Sequence, residues 1–418
     1  MASATSSTID LRDPELYLDG TPHALFTQLR TESPVYWNPE PDDPRHDGFW
    51  AITKYDDIVT ISKNPKIFSS DADWGGHRIF DEEDRRITGE DDDAPSDVKS
   101  MISMDPPEHS QYRKTVLPGL MSRRVLQMEE GIRRRARTIL DDFEHSFTAE
   151  ETPDFVEKVA VELPIQMLAE LFQVPAERQD DLFRWSNAIV AEDDPDMRAS
   201  EEYMAQVWQE MSMYALELYQ ERMANPSDDL ISMMVHSRID GEPMKMERYL
   251  GAFGLLIVAG NETTRNSISG GLMALADHPE QRRQLVDHPE LIAGAAREIV
   301  RWVSPVTHMR RTATQDTEIR DQTIRRGEKV VLWYCSANRD EDAFDDPFHF
   351  DVERQGPMQL GFGTGQHFCL GARLAELQLR VVFEELLPRF PKLEPVGEVK
   401  RLRSNFIAGI KEMRVRKG

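Results

Sequence analysis

The stretch "GFGTGQHFCLG", from Gly361 to Gly371, decides the fold. It holds four glycines, one histidine and one of the two cysteines of the chain, Cys369. An apolar pattern with helical spacing, "LGARLAELQLRVVFEELLPRF", follows the cysteine directly. A thiol at the N-terminus of a helix is more acidic, because the helix macrodipole and the free backbone N–H groups favour negative charge. The stretch therefore predicts a thiolate, which is a soft ligand and a strong electron donor.

Three interpretations fit a glycine-rich loop with one cysteine: a phosphate-binding loop, a buried structural cysteine, or a ligand to a large flat cofactor. The glycine spacing does not match GxxxxGK[ST], and no lysine follows, which argues against phosphate. The glycines permit tight turns and a close approach of the backbone, and Phe362 adds an aromatic cover. Haem with an axial thiolate meets this description, so we favour Cys369 as a haem ligand.

Composition and charge argue against several classes of protein. The chain has 418 residues and a net charge of −25, so the basic face of a nucleic-acid binder is not expected. Two cysteines are too few for a disulfide scaffold and suit a reducing compartment. No apolar run approaches the roughly eighteen residues of a membrane span, and the N-terminus lacks the pattern of a secretory signal. We expect a cytoplasmic protein without a membrane span, and a monomer.

Most of the chain has the periodicity of helices. The clearest case, "YLGAFGLLIVAGNETTRNSISGGLMALADHPE", predicts one long helix that ends near Asp277. Short strands are predicted around "RTATQDTEIR" and "QTIRRGEKVVLWYC", and a hairpin around "NFIAGIKEMRVR". The polar stretch from Asp71 to Lys99 predicts a solvated loop. Because no linker rich in Ser, Pro and Gly is present, we expect residues 1–418 to form one mainly α domain with a small β-rich part.

A polar interruption occurs inside the long helix at "AGNETT". Ala259, Gly260 and Thr263 lie within one turn, so a notch of small side chains opens beside a hydroxyl group. Glu262, next to that hydroxyl, can exchange protons with water. The alternative is a helix C-cap or a polar surface turn. It is weakened because "SISGGLMALA" continues the helix.

Two further patterns are weak by themselves. "EIVR" puts Glu298 and Arg301 on one face of a helix, but surface ion pairs with this spacing are common. "DPPEHSQYRK" puts His109 and Arg113 on one face of another helix, where both side chains are often simply solvated.

Taken together, these stretches resemble the cytochrome P-450 monooxygenases. "FGTGQHFCLG" matches the family's haem-ligand signature F-x-x-G-x-x-x-C-x-G, and "DPPEHSQYRK", "AGNETT", "EIVR" and "RTATQD" occur in the family's order along nearly the whole chain. The resemblance implies the cytochrome P-450 fold, a triangular single domain with haem b between the long helix and the helix after the cysteine loop. It also implies a soluble haem-thiolate monooxygenase of the bacterial type.

The resemblance assigns chemical roles to residues on both sides of the haem. Cys369 is implied as the axial ligand of the iron. Glu262 and Thr263 are implied to deliver protons while dioxygen is cleaved, and Ala259 and Gly260 to leave room for the oxygen.

The resemblance also implies which residues hold the haem. The propionates need cationic or hydrogen-bonding partners, and the implied partners are His109, Arg113, Arg311 and His367. Phe362 is implied as the aromatic cover of the cofactor. A buried ion-pair network for folding and haem retention is implied at Glu298, Arg301 and Arg354.

The substrate pocket of the family is built from several regions, and the candidate lining here is apolar: Leu255, Val258, Ala259, Val306 and Ile407. This implies a small or medium hydrophobic substrate, such as a terpenoid, alkyl-aromatic, fatty acyl or steroid-like compound. The chain carries no dinucleotide-binding motif and no cysteine cluster, so we expect no fused reductase. The implied electron donors are a ferredoxin and a ferredoxin reductase, and the candidate docking residues are basic: Lys114, Arg123, Arg124 and Arg133–Arg137.

A second hypothesis is a haem protein that does not activate O2 with electrons from ferredoxin. It would be a peroxygenase, an isomerase or dehydratase, or a gas sensor. Peroxygenase-like members of the family tend to lack the acid–alcohol pair, which is present here as Glu262 and Thr263. A sensor would usually carry an output domain, and the resemblance leaves no segment for one.

Overall fold

The computed structural model describes residues 9–43, 46–80, 99–190, 194, 197 and 200–418. The helices are α1 (His23–Glu32), α2 (Tyr55–Ser62), α3 (Glu108–Val116), α4 (Ser122–Gln127), α5 (Glu129–Ser146), α6 (Glu162–Phe172), α7 (Gln179–Val190), α8 (Glu201–Ala224), α9 (Leu230–Val235), α10 (Met246–Asp277), α11 (Pro279–Asp287), α12 (Ile292–Val303), α13 (Tyr334–Ala337) and α14 (Ala372–Arg389). The predicted long helix is confirmed as α10.

The strands are short. They are β1 (Val35–Pro39), β2 (Gly48–Ile52), β3 (Phe68–Ser69), β4 (Arg238–Ile239), β5 (Glu242–Pro243), β6 (His308–Ala313), β7 (Thr317–Ile319), β8 (Gln322–Ile324), β9 (Lys329–Trp333), β10 (Glu394–Pro395), β11 (Lys400–Arg401), β12 (Ile410–Glu412) and β13 (Val415–Arg416). The prediction of a mainly α fold with a small β-rich part is confirmed.

One sheet of five strands has the order β1-β2-β9-β6-β3, with β2 and β9 parallel and the other neighbours antiparallel. The remaining strands form pairs. The hairpin predicted near the C-terminus is wrong in its pairing, because β12 pairs with β11 and β13 returns to β10. The loop between β11 and β12 reaches back to the sheet region, where Ile407 forms an isolated bridge with Val306.

The core lies on both sides of α10. Its second half packs with α5, α12 and α14 in one apolar cluster, and its first half packs with α6, α7, α8 and α9 in another. A helix with this much buried surface on several faces is stabilised by apolar burial along most of its length. Within the described part of the chain, no helix is long and apolar enough to cross a membrane.

The loop before α14 is shaped by glycines with positive φ. Gly363 and Gly365 have φ of 66° and 70°, a region that costs a non-glycine residue energy. A Cβ on Gly365 would also collide with the backbone carbonyl of Ser62, at the end of α2. Gly363 and Gly365 are therefore needed for the turn, and Gly365 is also needed for the close contact with α2.

Of the loop predicted from Asp71 to Lys99, residues 81–98 lie outside the described residues. Its two ends are joined: Lys99 Nζ lies 2.8 Å from both Asp71 Oδ1 and Asp73 Oδ1. The backbone at Lys99 also packs against α10 so closely that a Cβ on Gly251 would collide with the Lys99 carbonyl. The stem of this segment is therefore fixed to α10 at one point.

Candidate functional site

Cys369 lies three residues before the first residue of α14. Its N–H donates to the Phe362 carbonyl at 2.8 Å, which closes the glycine loop. Burial raises the pKa of the Cys369 thiol, although the backbone N–H groups of Gly371 and Ala372 and the charge of Arg113 favour the thiolate. The expectation of a lowered pKa is therefore wrong for the protein alone, because burial outweighs the helix N-terminus. A bound metal ion is the partner that makes a buried thiolate stable.

The predicted basic residues converge beside this loop. The rings of His109 on α3 and His367 in the loop lie 4.3 Å apart between centroids. Arg113, one turn after His109, donates from Nη2 to the Phe368 carbonyl at 2.7 Å. Burial, together with the charges of Arg113 and Arg311, lowers the pKa of His109 to about 4. Two neutral imidazoles and two guanidinium groups therefore share one region.

This basic region fits the haem that the resemblance implies. His109 Nδ1 and His367 Nε2 are buried and have no hydrogen-bonding partner among the described residues. Buried polar atoms without partners are costly, so they indicate a polar group that they bind. Burial lowers the pKa of His367 well below its usual value, and Arg311 adds to this effect. A propionate here would satisfy the imidazoles and neutralise the arginines.

The sequence interpretation missed His77 at the edge of this region. His77 Nδ1 lies 3.0 Å from Ser103 Oγ, and the charge of His77 contributes to the lowered pKa of His367. The backbone carbonyl of His77 accepts a hydrogen bond from the Arg310 N–H at 2.8 Å. Neither the surrounding sequence, "GGHRIF", nor the spacing of His77 from the predicted motifs identifies it as a site residue.

In the middle of α10, two residues are exposed although the helix around them is buried. They are Ala259 and Gly260, the small residues of the predicted notch. Thr263, one turn later, donates from Oγ1 to the Ala259 carbonyl at 3.0 Å. A Cβ on Gly260 would lie 3.5 Å from a methyl of Leu168, which is an ordinary contact. The notch and the hydroxyl therefore share one exposed face of α10.

Glu262, directly before Thr263 in α10, is 1 % exposed. Its Oε2 lies 2.5 Å from Arg265 Nη2, but neither carboxylate oxygen has a hydrogen bond of good geometry among the described residues. Burial raises the pKa of Glu262, and the nearby Arg265 only partly opposes this. The carboxyl group is thus poised to exchange a proton nearer neutral pH than an exposed glutamate. Arg265 was not among the predicted site residues.

Glu298, Arg301 and Arg354 form one buried network at the end of α12. Arg301 donates from Nε and Nη2 to the two Glu298 oxygens, each at 2.7 Å. Arg354 Nε donates to Glu298 Oε1 at 3.2 Å, and the Asp351 N–H donates to the same oxygen at 3.0 Å. Arg301 also donates to the carbonyls of Asn338, Pro347 and His349. This network ties α12 to the segment that leads into the cysteine loop.

The predicted pocket residues fall into two groups. Val306 and Ile407 meet in one apolar cluster, together with three residues that were not predicted: Val190, Met309 and Phe406. Leu255 packs against the cluster around the first half of α10. Val258 is half-buried and directly precedes the notch. Phe362 packs on the core between α12 and α14, and its ring centroid lies 6.3 Å from that of Phe368.

The chain is similar to bacterial monooxygenases over nearly its whole length. It is 44% identical to linalool 8-monooxygenase from Pseudomonas putida, covering 97% of this chain and 98% of that protein. It is 38% identical to steroid C26-monooxygenase from Mycobacterium tuberculosis, covering 97% and 92% of the two chains.

Solved structures give the same result. A Mycobacterium marinum cytochrome P450 in complex with pseudoionone matches with a TM-score of 0.86 and 36% identity, covering 94% of each chain. A cytochrome P450 from Novosphingobium aromaticivorans matches with a TM-score of 0.83 and 36% identity, covering 97% and 98%. The predicted fold is therefore confirmed. A family model described as Cytochrome P450 matches residues 72–408. The chain belongs to the cytochrome P450 family, whose cofactor is haem, and it is a monooxygenase.

Proposed function

We propose that this monooxygenase hydroxylates a methyl group at the end of a branched, terpenoid-like hydrocarbon chain. The names of similar proteins support this choice of substrate. Their names give carbon 8 of linalool, carbon 26 of a steroid and the omega position of a methyl-branched lipid. All three are carbons at the end of a chain. The similar structure with bound pseudoionone holds another terpenoid.

The apolar cluster near the β11–β12 loop supports a hydrocarbon substrate. Val306 and Ile407 form a backbone bridge, and Met309 and Phe406 pack beside them. A ligand that covers these side chains gains about 25 cal/mol for each Å² of apolar surface removed from water. A methionine also adapts to branched shapes. Burial of apolar surface favours any hydrocarbon chain of suitable size. The choice of the carbon that is oxidised must therefore come from how the substrate's shape fits the pocket.

We assign the chemistry as follows. When bound, haem supplies the iron at which dioxygen is activated. Cys369 would hold that iron as its thiolate ligand, and His109, Arg113, Arg311 and His367 would bind the propionates. Glu262 exchanges a proton with water, and the Thr263 hydroxyl passes it toward the notch at Ala259 and Gly260. The position of Thr263 and the notch on one face of α10 supports this route.

The thiolate assignment is tested by spectroscopy of the ferrous protein with carbon monoxide. Wild type should give the red-shifted Soret band of thiolate ligation, and Cys369→Ala should lose it. Cys335→Ala is the matched control, because Cys335 is fully buried in the core near Trp333. If the band persists in Cys369→Ala, the ligand assignment is wrong.

The substrate class is tested by a ligand screen. Acyclic terpenoid alcohols, a cholesterol-like steroid and linear fatty acids are titrated for the low-spin to high-spin shift, and products are identified by mass spectrometry with 18O2. We expect the terpenoids to bind most tightly and one 18O atom to enter a terminal methyl. Tighter binding of linear fatty acids, or oxidation at mid-chain, would overturn the proposal.

A ferredoxin is the electron donor that we propose, and we narrow the predicted docking surface to the part that lies nearest the cysteine loop. Most of the arginines suggested for docking are paired within the chain: Arg133 with Glu384 and Glu385, Arg135 with Glu170, Arg137 with Glu385, and Arg124 with Asp228. Lys114 and Arg373 are exposed, have no ion pair among the described residues, and flank the cysteine loop from α3 and α14.

Charge reversal tests this surface. Lys114→Glu and Arg373→Glu should slow reduction by an acidic ferredoxin at low salt, with a smaller effect at high salt. Arg134→Glu is the control, because Arg134 is 68% exposed on α5 and approaches Glu130 only at 3.8 Å. Equal rates in all three variants would exclude this surface. Turnover with peroxide alone, and none with ferredoxin and reductase, would instead favour a peroxygenase.

Both cysteines are free thiols, which suits the reducing cytoplasm that we propose as the location.

A further inference from the structure

The tip of the β11–β12 loop (residues 402–409) is a tight turn that carries two residues of the apolar cluster, Phe406 and Ile407. Ser404 Oγ accepts hydrogen bonds from the N–H groups of both residues, each at 3.1 Å. The Phe406 carbonyl accepts a further hydrogen bond from the Thr307 N–H at 3.0 Å. A turn that is closed by one side chain takes its place in the fold from the elements on which it rests.

Asn405, in the middle of this turn, connects it to two other parts of the chain. Its carbonyl accepts hydrogen bonds from Thr307 Oγ1 and, at 3.1 Å, from His308 Nδ1, where β6 begins. Its side chain donates from Nδ2 to the backbone carbonyl of Arg12 at 2.9 Å. The tip of the loop is therefore held between β6 and the N-terminal segment (residues 9–22).

The N-terminal segment is itself fixed to the sheet. Leu11 is fully buried, and its N–H donates to Asn38 Oδ1 on β1 at 2.8 Å. The Tyr17 hydroxyl donates to the Leu11 carbonyl at 3.1 Å, and the Tyr17 ring stacks on Trp333 with 6.2 Å between the ring centroids. A segment with buried apolar and polar contacts of this kind is a firm support for the loop that rests on it.

Segment and loop lie in close contact beyond the hydrogen bond of Asn405. Tyr17 of the segment and Ser404 and Ile407 of the loop line a gap of only about 10 Å³, room for a single water. Arg403 pairs with Glu15, but these side chains are 32% and 48% exposed, and exposed pairs contribute little. The amide of Asn405 is therefore the stronger polar connection between the two.

Other contacts hold the base of the loop and leave its tip to Asn405. The Leu402 N–H donates to the Gly409 carbonyl at 2.9 Å, and the Ile410 N–H donates to Asn266 Oδ1 on α10 at 3.3 Å. Neither contact involves the turn at the tip. Removing the Asn405 amide should therefore release the tip from the N-terminal segment while the base of the loop stays in place.

We infer that Asn405 is a positioning residue for substrate selectivity: it couples the N-terminal segment to the β11–β12 loop, so that this segment sets where Phe406 and Ile407 stand in the pocket. The inference rests on the pocket assigned under the proposed function. Because Ile407 forms a backbone bridge with Val306, a displaced tip changes the shape of the apolar cluster. Coupling between two sites is reciprocal. A molecule that fills the pocket therefore also stabilises the N-terminal segment.

The first test measures hydrogen exchange by mass spectrometry in the ferric holoenzyme, with and without saturating phenylimidazole. This azole binds the haem iron whichever substrate the enzyme prefers. Exchange in residues 9–22 of the wild type should slow by about fivefold, the lower end of the usual coupling between two sites. Asn405→Ala should lose this protection and still bind the azole. Asn64→Ala is the matched control, because Asn64 Nδ2 donates to the Thr60 carbonyl at 2.6 Å, outside the apolar cluster.

The second test measures products with linalool as the probe. In Asn405→Ala the ratio of terminal-methyl product to all other products should fall by up to about tenfold, the factor that one hydrogen bond supplies. Asn405→Asp should behave like Asn405→Ala, because a carboxylate of the same size cannot donate to the Arg12 carbonyl. The ratio should stay at the wild-type value in Asn64→Ala, even if that variant melts at a lower temperature.

Two results would overturn the inference. One is phenylimidazole binding to the wild type without any change of exchange in residues 9–22, a result that depends on no variant. The other is an unchanged product ratio in both Asn405 variants. Failure of the proposed function looks different. If linalool is not oxidised, but the azole protects the N-terminal segment in wild type and not in Asn405→Ala, the substrate class is wrong and the coupling stands.

Discussion

Two buried glutamate–arginine pairs in this molecule have the same i,i+3 spacing but differ in how fully they are hydrogen-bonded. On α12, Arg301 donates two hydrogen bonds of 2.7 Å to Glu298 and others to backbone carbonyls. On α10, Arg265 reaches Glu262 at 2.5 Å without aligned hydrogen bonds. A buried network in which every group is satisfied is rigid, whereas a partly satisfied one can change partners. The first pair therefore suits a role in holding the fold, and the second suits the proton transfer that we propose for Glu262.

The largest effect is expected from breaking the α12 pair. Arg301→Gln leaves Glu298 partly unpaired and several carbonyls without a donor, so the free energy of unfolding should fall by about 3–5 kcal/mol. Urea denaturation of the holoenzyme, followed by the Soret band, measures this. Arg297→Gln is the control, because Arg297 on the same helix is 71% exposed and lies 3.7 Å from Glu376. A loss below about 1 kcal/mol, typical of a surface pair, would contradict the structural role.

Breaking the α10 pair should affect turnover and leave the fold intact. Glu262→Gln removes the proton-exchanging group, so product formation should fall by about 10²–10⁴-fold. The thiolate spectrum with carbon monoxide should be unchanged. Glu247→Gln, in the first turn of α10, serves as the matched carboxyl control. If Glu262→Gln loses haem as readily as Arg301→Gln, the contrast between the two pairs fails.

A smaller effect is expected at the neighbouring hydroxyl. Thr263→Ala removes the group that lies beside the notch, and coupling of NADH use to product should drop by roughly tenfold, the equivalent of one hydrogen bond of about 1.4 kcal/mol. Peroxide release measures the uncoupled fraction. Thr264→Ala is the comparison, since Thr264 is buried on another face of the helix. If peroxide release were equal in both variants, the proposed role of the Thr263 hydroxyl in proton transfer would be wrong.

The smallest effect concerns stability and pH. Burial raises the pKa of Glu262, so above its ordinary value of 4.5 the folded protein binds a proton more readily than the unfolded chain. The stability of wild type should therefore fall as pH rises through this window, and Glu262→Gln should lack that loss. The difference in Tm, variant minus wild type, should become more positive from pH 5.5 to 8. A difference that shrinks over this range would mean that the ionised form of Glu262 is favoured by the fold.

The sequence predicts one of these pairs and not the other, for a physical reason. "EIVR" (Glu298 to Arg301) and "ETTR" (Glu262 to Arg265) both place an arginine three residues after a glutamate, and "ETTR" lies inside the predicted long helix. The spacing places both side chains on one face, but it does not tell whether that face is buried or which element covers it. The anchor of Arg265, Asn187, lies 78 residues earlier in the chain.

The same limit applies to the predicted docking residues. The run Arg133–Arg137 looks free in the sequence, because its partners Glu384 and Glu385 lie on α14, about 250 residues away. By contrast, the cysteine loop could be predicted in detail. Its turns depend on glycines within eleven consecutive residues, and local backbone sterics determine such turns without distant contacts.

The joined ends of the segment before α3 have a practical use in protein engineering. Because Lys99 is bound to Asp71 at 2.8 Å and its backbone rests against Gly251, a sequence inserted between the two ends begins and ends at a fixed point. Closing a loop between fixed ends costs only about 0.6 kcal/mol for each doubling of its length. The length of a segment inserted between these ends can therefore vary at a small cost in free energy, because the contacts of Lys99 keep the two ends together.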